Sequence, residues 1–406
     1  MRYANNPFGP VVDGSISWLK SRVLRWGWLG LLCASEAVVA ANLPAALPVK
    51  IQALNSFQQH DTAQQDVRLR AVNGSSTVAN ANTEADNPAQ QQAEIWRDYI
   101  SHFDGLSSDA IRPGSEPRLF RAGPDADHVV ILIHGLSDSP YYMEAIGRHL
   151  HQTLGVHVLL PLLDGHGLKV PNGMRQVTLE RWLANVAFAV DYAASMVATP
   201  TESVPAGAAR KNPTISIGGL STGGTLGTYQ ALNDARINGS VLLFAAALKF
   251  PGLRGAMQEA FLRSDWARRM DRWLEGDEAA LIGNNPYRYS RIDIGSAMPL
   301  AQLMRRIEQQ LQTIAKAGEP LLQQSVFITH SEIDETAAIA GVDRLAAGLP
   351  VERVEFVRYK SGDGVRHANV VLAEPIESAD GEVLEKANPG FAQMMEIAQR
   401  FMAATD

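Results

Sequence analysis

Ser221 stands at the centre of Gly219-Leu220-Ser221-Thr222-Gly223. The motif directly follows a strand-like run, Thr214–Gly218, and directly precedes a helical pattern from Thr222 to about Asn233. A G-x-S-x-G sequence at a strand-to-helix junction forces its serine into a strained, exposed turn, where the hydroxyl can serve as a nucleophile. Gly219 and Gly223 remove Cβ atoms where strand and helix crowd together. The helix N-terminus behind Ser221 offers unpaired N–H groups to a developing anion. The plainer reading is a Gly-rich turn that only packs a strand against a helix.

A serine nucleophile needs a base, and the base needs a carboxylate that fixes its tautomer. His367, in Val365-Arg366-His367-Ala368-Asn369, follows the last recognisable strand and precedes the final helix. An ordinary histidine titrates near 6.5, so it can take the serine proton and return it to a leaving group. Asp334 lies just beyond the strand Ser325–Thr329, within His330-Ser331-Glu332-Ile333-Asp334-Glu335, and completes the chain order Ser…Asp…His. Glu332 and Glu335 compete for that role, and Asp363 is a weaker candidate. All these acids could equally be solvated, or could serve the first turn of a helix starting near Thr336. A reacting carbonyl also needs two donors aimed at its oxyanion. The N–H of Thr222 supplies one, and the N–H of Leu136, in His134-Gly135-Leu136 after the strand Val129–Ile133, supplies the other. His134 precedes Ser221, the wrong order for the base, so it reads with Gly135 as a loop-organising residue.

The elements that must position these groups follow from the apolar pattern. Val129–Ile133 is a continuous β-branched run, as in a strand covered on both faces. Pro140–His151 reads as helix, Val156–Leu160 as strand and Leu179–Met196 as a long helix. Ser240–Ala245, Ser325–Thr329 and Val354–Tyr359 read as further strands, with helices near Thr336–Ala347 and Pro389–Ala403. Strand-helix alternation implies an α/β fold with a mostly parallel sheet. Residues 249–299 break the rhythm with aromatic and amphipathic patches, including Trp266, Trp273 and Tyr287, and read as a helical cap inserted over the carboxyl ends of the strands.

Composition excludes several classes. Of the 406 residues, 46% are hydrophobic, enough for a large core, and the net charge is −7, unlike the basic face of a nucleic-acid binder. The single cysteine, Cys33, excludes a disulfide framework and a Cys-rich metal site. No fixed-period repeat is present. Neither an H-E-x-x-H pair nor a G-x-G-x-x-G fingerprint occurs, so no metal and no organic cofactor is expected.

Residues 1–41 read as a signal peptide or membrane anchor. Lys20, Arg22 and Arg25 precede an apolar stretch, Trp26–Ser35, that small residues follow. That run is short for a span of about 20 residues. The expectation is export, to the periplasm or outside, with retention as an N-terminal anchor or an interfacial helix as alternatives. Residues 42–92 read as a flexible linker, with Gln, Asn, Ala, Ser and Thr dominating from about Asn55. The compact domain is expected over 93–406.

From His134-Gly135-Leu136-Ser137-Asp138-Ser139-Pro140, Asp164-Gly165-His166-Gly167, the elbow around Ser221, Asn285-Pro286-Tyr287-Arg288-Tyr289 and the Val365-Arg366-His367 tail, the sequence resembles the α/β-hydrolase superfamily. Within it the chain is most similar to bacterial carboxylesterases and monoacylglycerol-lipase-like enzymes, over roughly residues 93–405. The resemblance implies an eight-stranded sheet with a helical cap, a Ser221–Asp334–His367 triad, and an oxyanion hole from Leu136 and Thr222. It makes His166 structural. The implied chemistry is hydrolysis of a small-molecule carboxylic ester through an acyl-serine intermediate. The same groups could serve a thioesterase, an amidase or peptidase, or a C–C hydrolase. A non-catalytic, membrane-anchored binding module is the alternative from another class.

Overall fold

The computed structural model describes residues 88–405 apart from 103–105, 171–172, 199–212, 252–282, 291 and 293. The signal or anchor segment, nearly all of the linker and most of the cap insert lie outside the described residues. In chain order the elements are α1 (Pro88–His102), β1 (Arg118–Phe120), β2 (His128–Ile133), α2 (Tyr141–Leu154), β3 (His157–Leu160) and α3 (Leu179–Ala198). Then come β4 (Thr214–Leu220), α4 (Thr222–Asn233), β5 (Val241–Phe244), α5 (Ile294–Ala317) and β6 (Val326–Ser331). The chain closes with α6 (Ile339–Ala347), β7 (Val354–Tyr359), a short hairpin of β8 (Ile376–Glu377) and β9 (Val383–Glu385), and α7 (Phe391–Thr405).

The β-branched run predicted at Val129–Ile133 is β2, buried at every position. Its alternating side chains divide the core. Val129, Ile131 and Ile133 face one layer, with Trp182, Val186 and Val190 of α3 and Leu303, Met304 and Ile307 of α5. Val130 and Leu132 face the other, with Met143, Ile146 and Leu150 of α2 and Met394, Met395 and Met402 of α7. Both faces of the sheet are therefore dry, as a parallel sheet requires.

The sheet has seven strands in the order β1-β3-β2-β4-β5-β6-β7. All neighbours are parallel except β1 with β3. Among the described residues this is one strand fewer than the resemblance implied. The edge is formed by three-residue β1, and α1 covers it. The Gln92 side chain donates to the carbonyl of Pro117, and the Gln91 side chain accepts from the N–H of Arg121 at 3.1 Å. Two glutamines thus satisfy backbone groups that flank the edge strand on either side, which covers its ends against further pairing. Helix α1 starts at Pro88, inside the stretch read as linker.

Two further elements depart from the sequence reading. Helix α5 starts within the region read as cap and runs unbroken past Pro299. The β8–β9 hairpin separates the segment after β7 from α7.

His157, at the start of β3, predicts a pH limit on stability. It is 4% exposed, and its Nδ1 accepts the N–H of Ala122 at 2.9 Å, a bond only the neutral ring can make. Burial pushes its pKa down to about 4. Between about 6.5 and that value the unfolded chain binds a proton that the native chain does not, so stability falls as pH falls. The denaturant midpoint should drop from pH 7 to pH 4, and His157→Gln should flatten the slope. An unchanged slope in the variant would remove His157 as its source.

Candidate active site

Parallel strands β2, β4, β6 and β7 present their carboxyl ends on one edge of the sheet, and Leu136, Ser221, Asp334 and His367 follow those ends in turn. Ser221 sits between β4 and α4 with φ 52° and ψ −112°, a backbone region that costs a non-glycine residue about 1–3 kcal/mol. The fold enforces it. The Ser221 N–H donates to the carbonyl of Phe244 at 2.9 Å, and the Ser221 carbonyl accepts the N–H groups of Thr225 and Ala247, both at 3.1 Å. The chain must therefore turn from strand to helix within one residue. Gly219 and Gly223 make this possible, since a Cβ at either would lie 1.9 Å from the carbonyl oxygen of Ile133. The serine is 6% exposed.

Burial separates the competing carboxylates. Glu332 and Glu335 are exposed, whereas Asp334 is 9% exposed. Asp334 Oδ1 accepts the N–H groups of Thr336 at 2.8 Å and Ala337 at 2.9 Å, and Oδ2 lies 2.6 Å from His367 Nδ1. Burial alone would raise the Asp334 pKa. The His367 bond and charge and the two N–H groups outweigh it and hold the carboxyl below its ordinary range. These contacts also explain why α6 begins at Ile339 and not near Thr336, because Asp334 ties the intervening residues into a turn. Asp363 is instead exposed, capping its own short turn through the N–H of Lys360 at 2.7 Å. Ser331 Oγ donates to the carbonyl of Val365 at 2.6 Å, fastening the His367 loop to the end of β6. Among the described residues, hydrogen bonds join His367 to Asp334 but join neither to the Ser221 hydroxyl.

The loop after β2 is organised by imidazoles. His134 is fully buried, donates from Nδ1 to the carbonyl of Gly135 at 2.9 Å and accepts the N–H of Leu163 at Nε2 at 3.1 Å. Burial, with His166 beside it, keeps its pKa well below 6.5, and the Gly135 carbonyl opposes them only in part. A neutral ring with both nitrogens engaged braces the loop against Leu163. Asp138 N–H also donates to the Gly135 carbonyl, at 3.2 Å. With that oxygen held, the N–H of Leu136, on the opposite side of the same peptide, is aimed away from these anchors. His166 Nε2 lies 2.7 Å from the Leu136 carbonyl and Nδ1 lies 3.0 Å from that of Asp164, so the ring spans the loop and the Asp164 turn. Thr222, the second predicted donor, is the first residue of α4, where backbone N–H groups have no intrahelical partner.

A model described as "Alpha/beta hydrolase family" matches residues 130–378. The chain belongs to that family. This hydrolase is 26% identical over 252 residues to a thermostable monoacylglycerol lipase of Bacillus sp. (strain H-257), covering 61% of this chain and 86% of the lipase. It also matches a solved structure from work on LipS and LipT, two metagenome-derived lipolytic enzymes, with TM-score 0.51 and 17% identity. That match covers 72% of this chain and 99% of the other. A soluble variant of the monoglyceride lipase of Saccharomyces cerevisiae matches with TM-score 0.48 and 12% identity over 71% of this chain and 91% of the yeast protein.

Sequence reasoning left out one histidine of this hydrolase. His330 is fully buried at the end of β6, with Nε2 3.8 Å from Asp334 Oδ2 and Nδ1 3.1 Å from the carbonyl of Ser331. Burial lowers its pKa despite the nearby carboxylate. Its spacing of four residues before Asp334 was the available signal.

Proposed function

We propose that this hydrolase cleaves carboxylic esters, with an acyl chain or monoacylglycerol-like group as substrate, through an acyl-Ser221 intermediate. The observation that carries the reading is the bond of 2.6 Å between His367 and buried Asp334 at the sheet edge that also holds Ser221 in its strained turn. With Nδ1 committed to Asp334, His367 keeps Nε2 to take the Ser221 proton. Ser221 Oγ attacks the ester carbonyl, and the N–H groups of Leu136 and Thr222 receive the oxyanion. His367 returns the proton to the leaving alcohol, then deprotonates a water that releases the acid. The likeness to a monoacylglycerol lipase supports the substrate class. The N-terminal segment would export this domain or hold it at a membrane.

The test is turnover of short- and long-chain p-nitrophenyl esters and of a monoacylglycerol, beside Ser221→Ala. A loss in kcat of about 10³-fold or more in the variant is expected. Equal turnover in both proteins would refute Ser221 as the nucleophile. Turnover of thioesters or amides only would reassign the substrate class.

A further inference from the structure

The segment Asn285–Tyr289 carries part of the family resemblance, yet acyl transfer through Ser221 gives it no task. It lies within the region read as cap and grips the loop that follows Leu136. Arg288 directs three nitrogens to three partners. Nη2 donates to Ser137 Oγ at 2.8 Å, Nε faces Asp138 Oδ1 at 3.3 Å, and Nη1 donates to Glu385 Oε1 at 2.9 Å. The next residue, Tyr289, donates its N–H to the carbonyl of Ser137 at 2.7 Å. Ser137 Oγ donates to Asp138 Oδ1 at 3.1 Å.

Asp138 bears directly on the Gly135–Leu136 peptide. Its N–H holds the Gly135 carbonyl, and its carboxylate packs against Gly135, where an added Cβ would meet Oδ2 at 2.2 Å. Glu385 comes from β9, beyond the residues that match the family model. It is fixed in turn by Tyr142 Oη at 2.6 Å and Asn285 Nδ2 at 2.9 Å. The Asp138 side chain is 4% exposed and that of Arg288 is 24% exposed, so these charges are largely withdrawn from water.

We infer that Arg288 is a positioning residue for the oxyanion donor. Acting through Ser137 and Asp138, and held from behind by Glu385, it sets the plane of the peptide that carries the Leu136 N–H. This rests on the reading of Leu136 as an oxyanion donor. Loss of one such donor costs about 10²–10³-fold in kcat, and a misplacement of about 1 Å costs about 10²-fold. Arg288→Gln should therefore lower kcat about 10–100-fold with KM within about threefold of wild type. Arg288→Lys should recover only part, because an ammonium lacks the planar fork that reaches three acceptors.

The full chain is used for the test, with Arg288→Gln and with Glu385→Gln, which keeps side-chain shape while removing the charge. Two readouts isolate the donor. One is the second-order rate of Ser221 phosphonylation by a fluorophosphonate, which needs the donors but no particular acyl group. The other is inhibition by a trifluoromethyl ketone, whose carbonyl carbon takes the Ser221 oxygen and whose carbonyl oxygen becomes the hemiketal oxyanion, against the matching carbinol, which has no carbonyl to add to. Phosphonylation slowed and ketone affinity weakened about 10–100-fold, with the carbinol unchanged, is the expected result. Equal weakening of ketone and carbinol, or no change in either, would overturn it. If Arg288→Gln does not fold, Glu385→Gln decides by the same criteria. Ester turnover by the wild type reads the proposed function separately. Slowed phosphonylation in the variants without ester turnover in the wild type would keep the role of Arg288 and discard the substrate. Absence of phosphonylation in the wild type would discard both.

Discussion

Asp334→Asn should lower kcat about 10⁴-fold while leaving the fold in place. The asparagine carbonyl oxygen can still accept the N–H groups of Thr336 and Ala337, so the turn before α6 survives. Its NH₂ group, however, now faces His367 Nδ1, where a carboxylate oxygen lay at 2.6 Å. That donor forces the imidazole proton onto Nε2, the nitrogen needed as the base. KM should change little, since Asp334 is buried behind the histidine. Stability should respond to acid in a defined sense. The native carboxyl is held below its ordinary range, so the unfolded chain protonates first as pH falls. The contribution of Asp334 is thus fully present above about pH 4 and is lost as pH falls through the native value. Denaturant melts at pH 7 and pH 3 should show the gap between wild type and Asp334→Asn narrowing in acid. A loss in kcat below about tenfold would mean that the Asp334–His367 pair serves only the fold.

The sequence could name Asp334 but could not dismiss Glu332 and Glu335. All three have the same chemistry and nearly the same distance from the strand. What separates them is that the chain turns just after Ser331 and buries one of the three. Ser221 was legible because its constraint is local, as strand, glycine and helix are contiguous. The same locality made β2, α4 and β7 readable from period and composition.

Elements fixed by distant partners were not readable. Strand β1 has three residues and is held by pairing with Val158–Leu160 and by glutamines of α1. Helix α5 keeps a clear apolar stripe at Leu300, Leu303, Met304, Ile307 and Leu311. Pro299 sits in its second turn, where packing against α3 and α4 outweighs the lost backbone bond. The β8–β9 hairpin had a turn signal in Asp380-Gly381, where Gly381 adopts φ 80°. Its strands are too short to show alternation. Arg288 lay within a recognised motif, but its partners come from the loop after β2 and from β9, and no spacing in the chain joins them.

Gly223→Ala should destabilise the protein by about 3 kcal/mol or more, a large share of a typical folding free energy of about 5–15 kcal/mol. The added Cβ would lie 1.9 Å from the oxygen and 2.5 Å from the carbon of the Ile133 carbonyl, and 2.7 Å from the His134 oxygen. None of these atoms belongs to a flexible side chain. They are the end of a fully buried strand and the start of the loop that carries Leu136, so relief requires α4 or β2 to move. The cost comes from space alone, since residue 223 lies inside α4, where alanine is otherwise the better helix former. Gly362→Ala is the matched control. A Cβ there would meet nothing within 4 Å, and its effect should stay within about 0.5 kcal/mol. Urea melts of both variants, read by midpoint at unchanged slope, check the pair. Wild-type stability in Gly223→Ala would show that α4 can slide away from β2. The elbow would then owe its shape to the strained Ser221 backbone and its bonds to β5, not to close packing against Ile133. Folded Gly223→Ala protein that has lost ester turnover would show the reverse, with strand, elbow and oxyanion loop shifting together as one packed unit.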